Sequence, residues 1–103
     1  APALQIARLN VSPDLEPEWN RWYDSVYVPS YETVPGVIRG RRYRTVLGEP
    51  KYITMYEHEH EKVSESKDWL SQQTAHPDND RMRAAMQHAI GSRGIWKKTF
   101  EVA

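Results

Sequence analysis

WYDSVYVPSYETVPG, residues 22–36, ends an amphipathic helix and turns the chain, and its reading decides what surrounds it. Reading backward, Trp19, Trp22, Tyr23 and Val26 fall at i, i+3, i+4 and i+7, one face of a helix. Pro17 suits its first position. Reading forward, Pro29 removes an amide donor and biases Val28 away from helical angles, so the regular helix is expected to end near it or kink. Val34-Pro35-Gly36 is a turn signal. Trp22 and Tyr23 belong to the core-facing stripe, whereas Asp24 lies off it, free to cap or to pair with an arginine. Tyr27, four residues beyond Tyr23, leans toward the open end of the helix and is expected to line a pocket between helix and sheet; Tyr31 follows the proline break.

Outward from this stretch the elements alternate in type. Residues 4–11 read as a strand with apolar residues on both faces, interrupted by Gln5, Arg8 and Asn10. Residues 37–46 form a β-run in which Gly40 marks a bulge or a helix packed close against the strand. A hairpin connection over 47–51 leads to a third strand at 52–60, rich in strong β-formers. A second helical region runs from about Ser66 to Thr74, breaks at HPDND and resumes from Arg81 to Ile90; an alternating strand at 95–102 closes the chain. The order β-α-β-β-α-β is the ferredoxin-like plan, an α+β fold with a four-stranded antiparallel sheet and two helices on one face. The strands carry large apolar residues on both faces, so the uncovered face needs a partner, and a homodimer packed sheet against sheet is expected.

A chain of 103 residues is one domain, 1–103. Lys plus Arg and Asp plus Glu both number 14, so no bulk attraction for phosphate backbones or anionic lipid exists and nucleic acid is not an expected partner. The chain has no cysteine, which excludes disulfides and thiolate metal sites and makes a reducing cytoplasm the simplest location. The first residues, APALQIARLN, lack the basic and apolar regions of a signal peptide, and no run approaches the ~20 apolar residues of a membrane span.

The motifs W-Y-D-x-x-Y-V-P, V-P-G-x-x-x-G-R-R-Y and K-Y-x-x-x-Y-E resemble the dimeric α+β barrel superfamily, specifically its EthD-like branch. The resemblance covers residues 4–60 and, beyond them, the order of elements. It implies the ferredoxin-like fold, a dimer, and activities spanning muconolactone-type isomerases, polyketide cyclases, cofactor-free monooxygenases and haem-degrading enzymes, among which fold cannot choose. Where the branch usually carries histidine, this chain has Tyr27. A phenol with an ordinary pKa near ~10 donates hydrogen bonds or acts as an acid at pH 7, so it does not inherit the role of a base.

The strand period of two places Tyr52, Thr54, Tyr56, His58 and His60 on one face of the third strand, a polar aromatic pocket wall. His60 lies near the strand end, where solvation is the simpler reading. His58-x-His60 is able to chelate, but no third ligand stands at diagnostic spacing, so no metal site is expected. Arg39, Arg41 and Tyr43 share one face of the second strand, where arginines pair across an interface or clamp a carboxylate, phenolate or enolate. The resemblance extends to IsdG-type haem-degrading members, in which Asn10, Trp69 and His76 would stand at the strand-one Asn, helical Trp and later His. Trp69 as core and His76 and His88 as solvated residues are the simpler readings.

The leading expectation is a small cofactor-independent enzyme that moves a proton on an aromatic or carbonyl substrate, of isomerase, lyase or cyclase type. His58 would be the base, Tyr27 the acid or oxyanion donor and Arg41 the anion holder, with Arg39, Tyr31, Tyr56, Asn10, Trp69 and His76 around the substrate. The alternatives are an IsdG-like (haem-dependent) or cofactor-free monooxygenase and a non-catalytic module that binds a small ligand.

Overall fold

A computed structural model describes residues 1–99; Phe100, Glu101, Val102 and Ala103, and with them the end of the expected strand 95–102, lie outside the described residues. β1 (Ala3–Val11) buries its odd-numbered residues, Ala3 through Val11, while the even-numbered ones are half-buried. β3 (Tyr52–His58) pairs antiparallel with it, Gln5 facing Tyr56 and Ala3 facing His58, and buries Tyr52, Thr54, Tyr56 and His58 on the same side. β2 (Val37–Arg44) pairs with the far edge of β3. Its register slips between Val37 and Arg39, so Gly40 and Arg42 join the buried side while Arg39, Arg41 and Tyr43 turn to the other.

The helix begun at Pro17 does not end at Pro29. It runs as α1 (Glu16–Trp22), a π-helical turn over Tyr23–Tyr27, and α2 (Val28–Glu32). The amide of Val28 donates to the carbonyl of Tyr23, five residues back. Widening the turn just before a proline, which has no amide and whose ring crowds the preceding turn, lets the helix continue. Gly40 lies directly beneath: a Cβ there would stand 2.9 Å from both Val28 Cγ1 and Tyr56 Cε1. The close helix-to-strand approach expected at this glycine is therefore what the fold contains. Arg42 reaches across the same seam, donating to Asp24 at 2.6 Å and Asn20 at 2.9 Å, with its guanidinium over the rings of Trp19, Tyr23 and Tyr52. Asp24 thus pairs with an arginine.

The second helical region begins as expected. Ser66 caps α3 (Lys67–Ser71), its hydroxyl accepting the amide of Trp69 at 3.2 Å, and a 3-10 turn follows over Gln72–Thr74. Its continuation corrects the expected helix 81–90. α4 (Asn79–Ala84) stops short, and Met86–His88 form β4 on the edge of β1. Residues 84–86 favour helix intrinsically, but the unpaired edge of β1 offers hydrogen bonds that outweigh a preference of tenths of a kcal/mol. β5 (Gly94–Lys97) then pairs with the other half of the same edge.

β4 and β5 are two arms of one broken strand. Leu9 faces His88 and Ile6 faces Gly94, so three steps along β1 match six along its partner. The surplus bulges out between two backbone bonds of 2.8 Å, Ala89 to the Arg8 carbonyl and Arg93 to that of Ile6. The sheet thus has five strands rather than four, in the order β2-β3-β1-β4 with β5 beside β4 on β1. Its covered face holds the core, with Trp19, Leu9, Met82 and Val63 almost wholly enclosed. The other face presents Leu4, Ile6, Ile53 and Met55, half-buried, together with Tyr43 and Trp96, which are 47% and 48% exposed. Among the described residues no helix is long and apolar enough to cross a membrane.

Candidate functional site

Between helix and covered face lies a cavity of about 70 Å³, open on one side. The helix lines it with Tyr23, Tyr27 and Tyr31, the sheet with Gln5, Ala7 and Tyr56, and the second helical region with Trp69, Gln73 and Arg83. Met86 and His88 of β4 and Arg93 of the bulge complete the wall.

The aromatic rings form a continuous chain. Trp22 stacks on Tyr27 at 4.4 Å, Tyr27 meets Tyr31 edge-on at 4.9 Å, and Tyr31 packs on Trp69 at 4.1 Å. Trp69 presents its edge to Tyr56 at 5.1 Å and to His58 at 5.2 Å. Asn79, fully buried, locks the far side: it accepts from the Trp22 indole at 3.0 Å and donates to the carbonyl of Gln72 at 2.9 Å.

The hydroxyls are unevenly satisfied. Thr54 donates to the Tyr23 hydroxyl at 2.8 Å, and those of Tyr27 and Tyr31 share one bond of 3.1 Å, leaving one of the two protons of that pair unused. Tyr56, only 4% exposed, has no partner for its hydroxyl among the described residues. A buried hydroxyl without a partner forfeits its hydration, an unusual circumstance in a folded chain. Burial pushes the phenol of Tyr23 up to about 12 and raises those of Tyr31 and Tyr56, so all three remain protonated donors at neutral pH.

His58 is completely enclosed. Its Nε2 lies 3.0 Å from Gln5 Oε1, an atom that only accepts, so Nε2 carries the proton and Nδ1, without a partner among the described residues, holds a free lone pair. Burial, and secondarily the nearby His60, lowers its pKa. The ring sits behind Trp69 and Tyr56, and Gln5 rather than His58 reaches the cavity. Tyr27 and His58 are thus linked through Tyr31 and Trp69 rather than facing each other.

The other expected site residues divide by sheet face. Tyr27, Tyr31, Tyr56 and Trp69 meet in the cavity. Arg39 and Arg41, expected beside His58, stand on the opposite face and both approach Glu57. Asn10 is on that face too, its side chain accepting the amide of Lys51 at 2.8 Å. His76 lies in an exposed loop and accepts the amide of Asp78 at 3.2 Å. The slip at the start of β2 and the strict alternation of β1 account for the first three placements.

Three solved structures share this architecture. The heme-degrader MhuD of Mycobacterium tuberculosis, with two hemes bound in its active site, superposes with a TM-score of 0.67 at 16% identity, over 99% of this chain and 100% of that one. SnoaB, a cofactor-independent oxygenase from Streptomyces nogalater solved as a mutant, gives 0.66 at 14%, over 99% and 98%. An EthD-family protein from Bacillus halodurans gives 0.59 at 15%, over 94% and 99%. The chain shares their ferredoxin-like α+β fold. No family model matches the sequence, and neither does any curated protein.

MhuD binds heme, and a haem site here would have to be built from the residues that stand at this cavity. Of Asn10, Trp69 and His76, only Trp69 lines the cavity; a sheet separates it from Asn10, and His76 is engaged outside. These three do not assemble a haem site. The imidazole that does reach the cavity is His88, placed by the strand that replaced the expected helix. Its Nδ1 lies 2.7 Å from the Ser92 hydroxyl, and burial, then the charges of Arg93 and Arg83, lower its pKa. His88, Arg83, Arg93, Gln5 and Gln73 were not read as site residues from the sequence. The alternation Met86-x-His88 was the available signal for the first of them.

Proposed function

We propose that this chain is a small cofactor-independent enzyme that binds a planar aromatic or conjugated carbonyl compound in the tyrosine-lined cavity and moves a proton on it. The unpartnered hydroxyl of Tyr56 carries this reading, because it is a buried donor in the wall of an enclosed space that no described group of the chain satisfies. A substrate carbonyl accepting from Tyr56 would complete it. As a neighbouring C–H is deprotonated, negative charge grows on that oxygen, where fixed phenol donors in a water-poor site stabilise it. The Tyr27–Tyr31 pair supplies a second donor from the same wall.

The base in this reading is His88 rather than His58. With its pKa lowered, it is neutral at pH 7, and in the tautomer whose Nδ1–H donates to Ser92, Nε2 keeps its lone pair. His58 acts at one remove, orienting the Gln5 amide in the cavity wall. Return of the proton to another atom gives isomerisation, and expulsion of a leaving group gives lyase chemistry. The likeness to a cofactor-independent oxygenase favours a second reading, in which the deprotonated substrate meets dioxygen; product formation that stops under argon would select it. We also propose that two copies pair through the bare sheet faces.

The test is deuterium exchange. Enolisable aromatic ketones and phenols are incubated with the protein in D₂O and their C–H signals followed by NMR. Catalysed loss of one signal, abolished by His88→Gln and cut about 10²-fold by Tyr56→Phe, is the expected result. Unchanged exchange in both variants, with melting curves like the parent's, removes the mechanism.

A further inference from the structure

The cavity wall is chemically lopsided. Beside the phenols and Trp69 it carries Arg83, Arg93 and His88, and no Asp or Glu among the described residues lines any part of it. Neither arginine makes an ion pair among the described residues, whereas Arg39, Arg41, Arg42 and Arg81 each have a carboxylate. Arg83 Nε is buried and has no hydrogen-bond partner among them. Arg83 is half-buried and Arg93 exposed, and two guanidinium groups beside an imidazole repel one another. The His88 pKa is lowered first by burial and then by the charges of Arg93 and Arg83, which registers that proximity.

The backbone contributes a second, independent sign. Arg93 adopts φ 63°, the left-handed region, in which a non-glycine residue is strained by about 1–3 kcal/mol. Gly91, two residues earlier, takes such a conformation without cost at φ 81°, yet the position that lines the cavity carries a long cationic side chain. The three-residue surplus of the broken strand therefore aims a charge at the cavity mouth against the local preference of the chain.

Resting on the reading of the cavity as an aromatic site, we infer that Arg83 and Arg93 form an anion clamp and that the substrate is an aromatic carboxylate. Its ring lies among the tyrosines and Trp69 and its carboxylate at the open end. A planar carboxylate matches the planar donor forks of two guanidinium groups. The volume of about 70 Å³ is roughly half that of an engineered cavity that takes up benzene. A ring therefore enters such a slot only in part, through its open side, with the charged group left outside at the mouth.

Benzoate and its neutral isostere benzamide discriminate the idea, with binding followed by quenching of tryptophan fluorescence. Benzoate should bind at least about tenfold more tightly than benzamide. Arg83→Gln and Arg93→Gly should each bring benzoate toward the benzamide value without weakening benzamide; glycine is compatible with the φ at position 93, so that variant is expected to fold. Equal binding of the two ligands, or equal weakening of both by the variants, overturns the clamp and leaves the aromatic cavity standing. Binding of neither overturns both. A benzoate preference without deuterium exchange keeps the clamp and removes proton transfer.

Discussion

The two faces of the sheet carry charge in opposite ways. On the bare face Arg39 and Arg41 are about half exposed and share Glu57, whose carboxyl is held below the ordinary range chiefly by a hydrogen bond from Arg39. Exposed pairs of this kind contribute little to stability and move freely to new partners. On the covered face, polar groups are enclosed, and several are unsatisfied among the described residues: Tyr56 Oη, His58 Nδ1 and Arg83 Nε have no partner. The bare face is equipped to meet a large, changeable surface, and the covered face a small, fixed one. Of these, Tyr56 and Arg83 line the cavity, where a ligand is able to satisfy them.

Substitutions can break or sharpen this contrast. The largest effect is expected from Trp69→Ala, which removes a wall shared by Tyr31, Tyr56 and His58 and should cost about 3–5 kcal/mol in chemical denaturation. Tyr56→Phe should separate function from folding: about 10²-fold slower turnover, with stability unchanged or raised by up to about 1 kcal/mol. A large loss of stability would mean that the hydroxyl serves the fold after all. Gly40→Ala should cost about 1–3 kcal/mol by forcing Val28 and the Tyr56 ring away from the strand, read as a lower melting temperature.

Acid should act chiefly through the enclosed imidazole of His58. The folded-state pKa of His58 lies below its ordinary value of 6.5, chiefly through burial, so below about pH 6.5 the unfolded chain binds the proton first. Its contribution to stability is complete above that pH and is lost as pH falls through the folded pKa. Melting temperatures from pH 7.5 to 5 should decline, and His58→Gln should flatten the decline in part, with His88 supplying a further share of the same sign. On the bare face, Met55→Glu should change the unfolding energy of the chain by no more than about 0.5 kcal/mol while shifting sedimentation from dimer to monomer. A variant that still sediments as a dimer would place the contact elsewhere.

Much of this arrangement was legible in the residues. The helical stripe from Trp19 to Val26, the alternation from Tyr52 to His58 and the order of elements follow from periodicities of 3.6 and 2, which local chemistry dictates. The meeting of Tyr27, Tyr31, Tyr56 and Trp69 followed from them. Two features did not, because they depend on pairing across the chain. The slip at Ile38 sets which arginines of β2 face the helices, and although Gly40 signals a bulge nearby, nothing local fixes which side each arginine then takes. Residues 84–88 look helical until the edge of β1 is known to be open, and with that edge come His88 and Arg93. The cationic lining of the cavity was therefore hidden, whereas its aromatic lining was not.

The widened helical turn at Tyr23–Tyr27 has a consequence for how the scaffold can change. In an unbroken α-helix each four-residue step drifts by about 40°, so phenols at 23, 27 and 31 would fan out by about 80°. A turn that takes in one more residue absorbs that drift and keeps the three in line. Deleting a single residue inside it should restore an ordinary helix and leave Trp22 and Tyr31 in place while the middle hydroxyl is lost. Length variation at this point is thus a route to altered cavity chemistry on an unaltered frame.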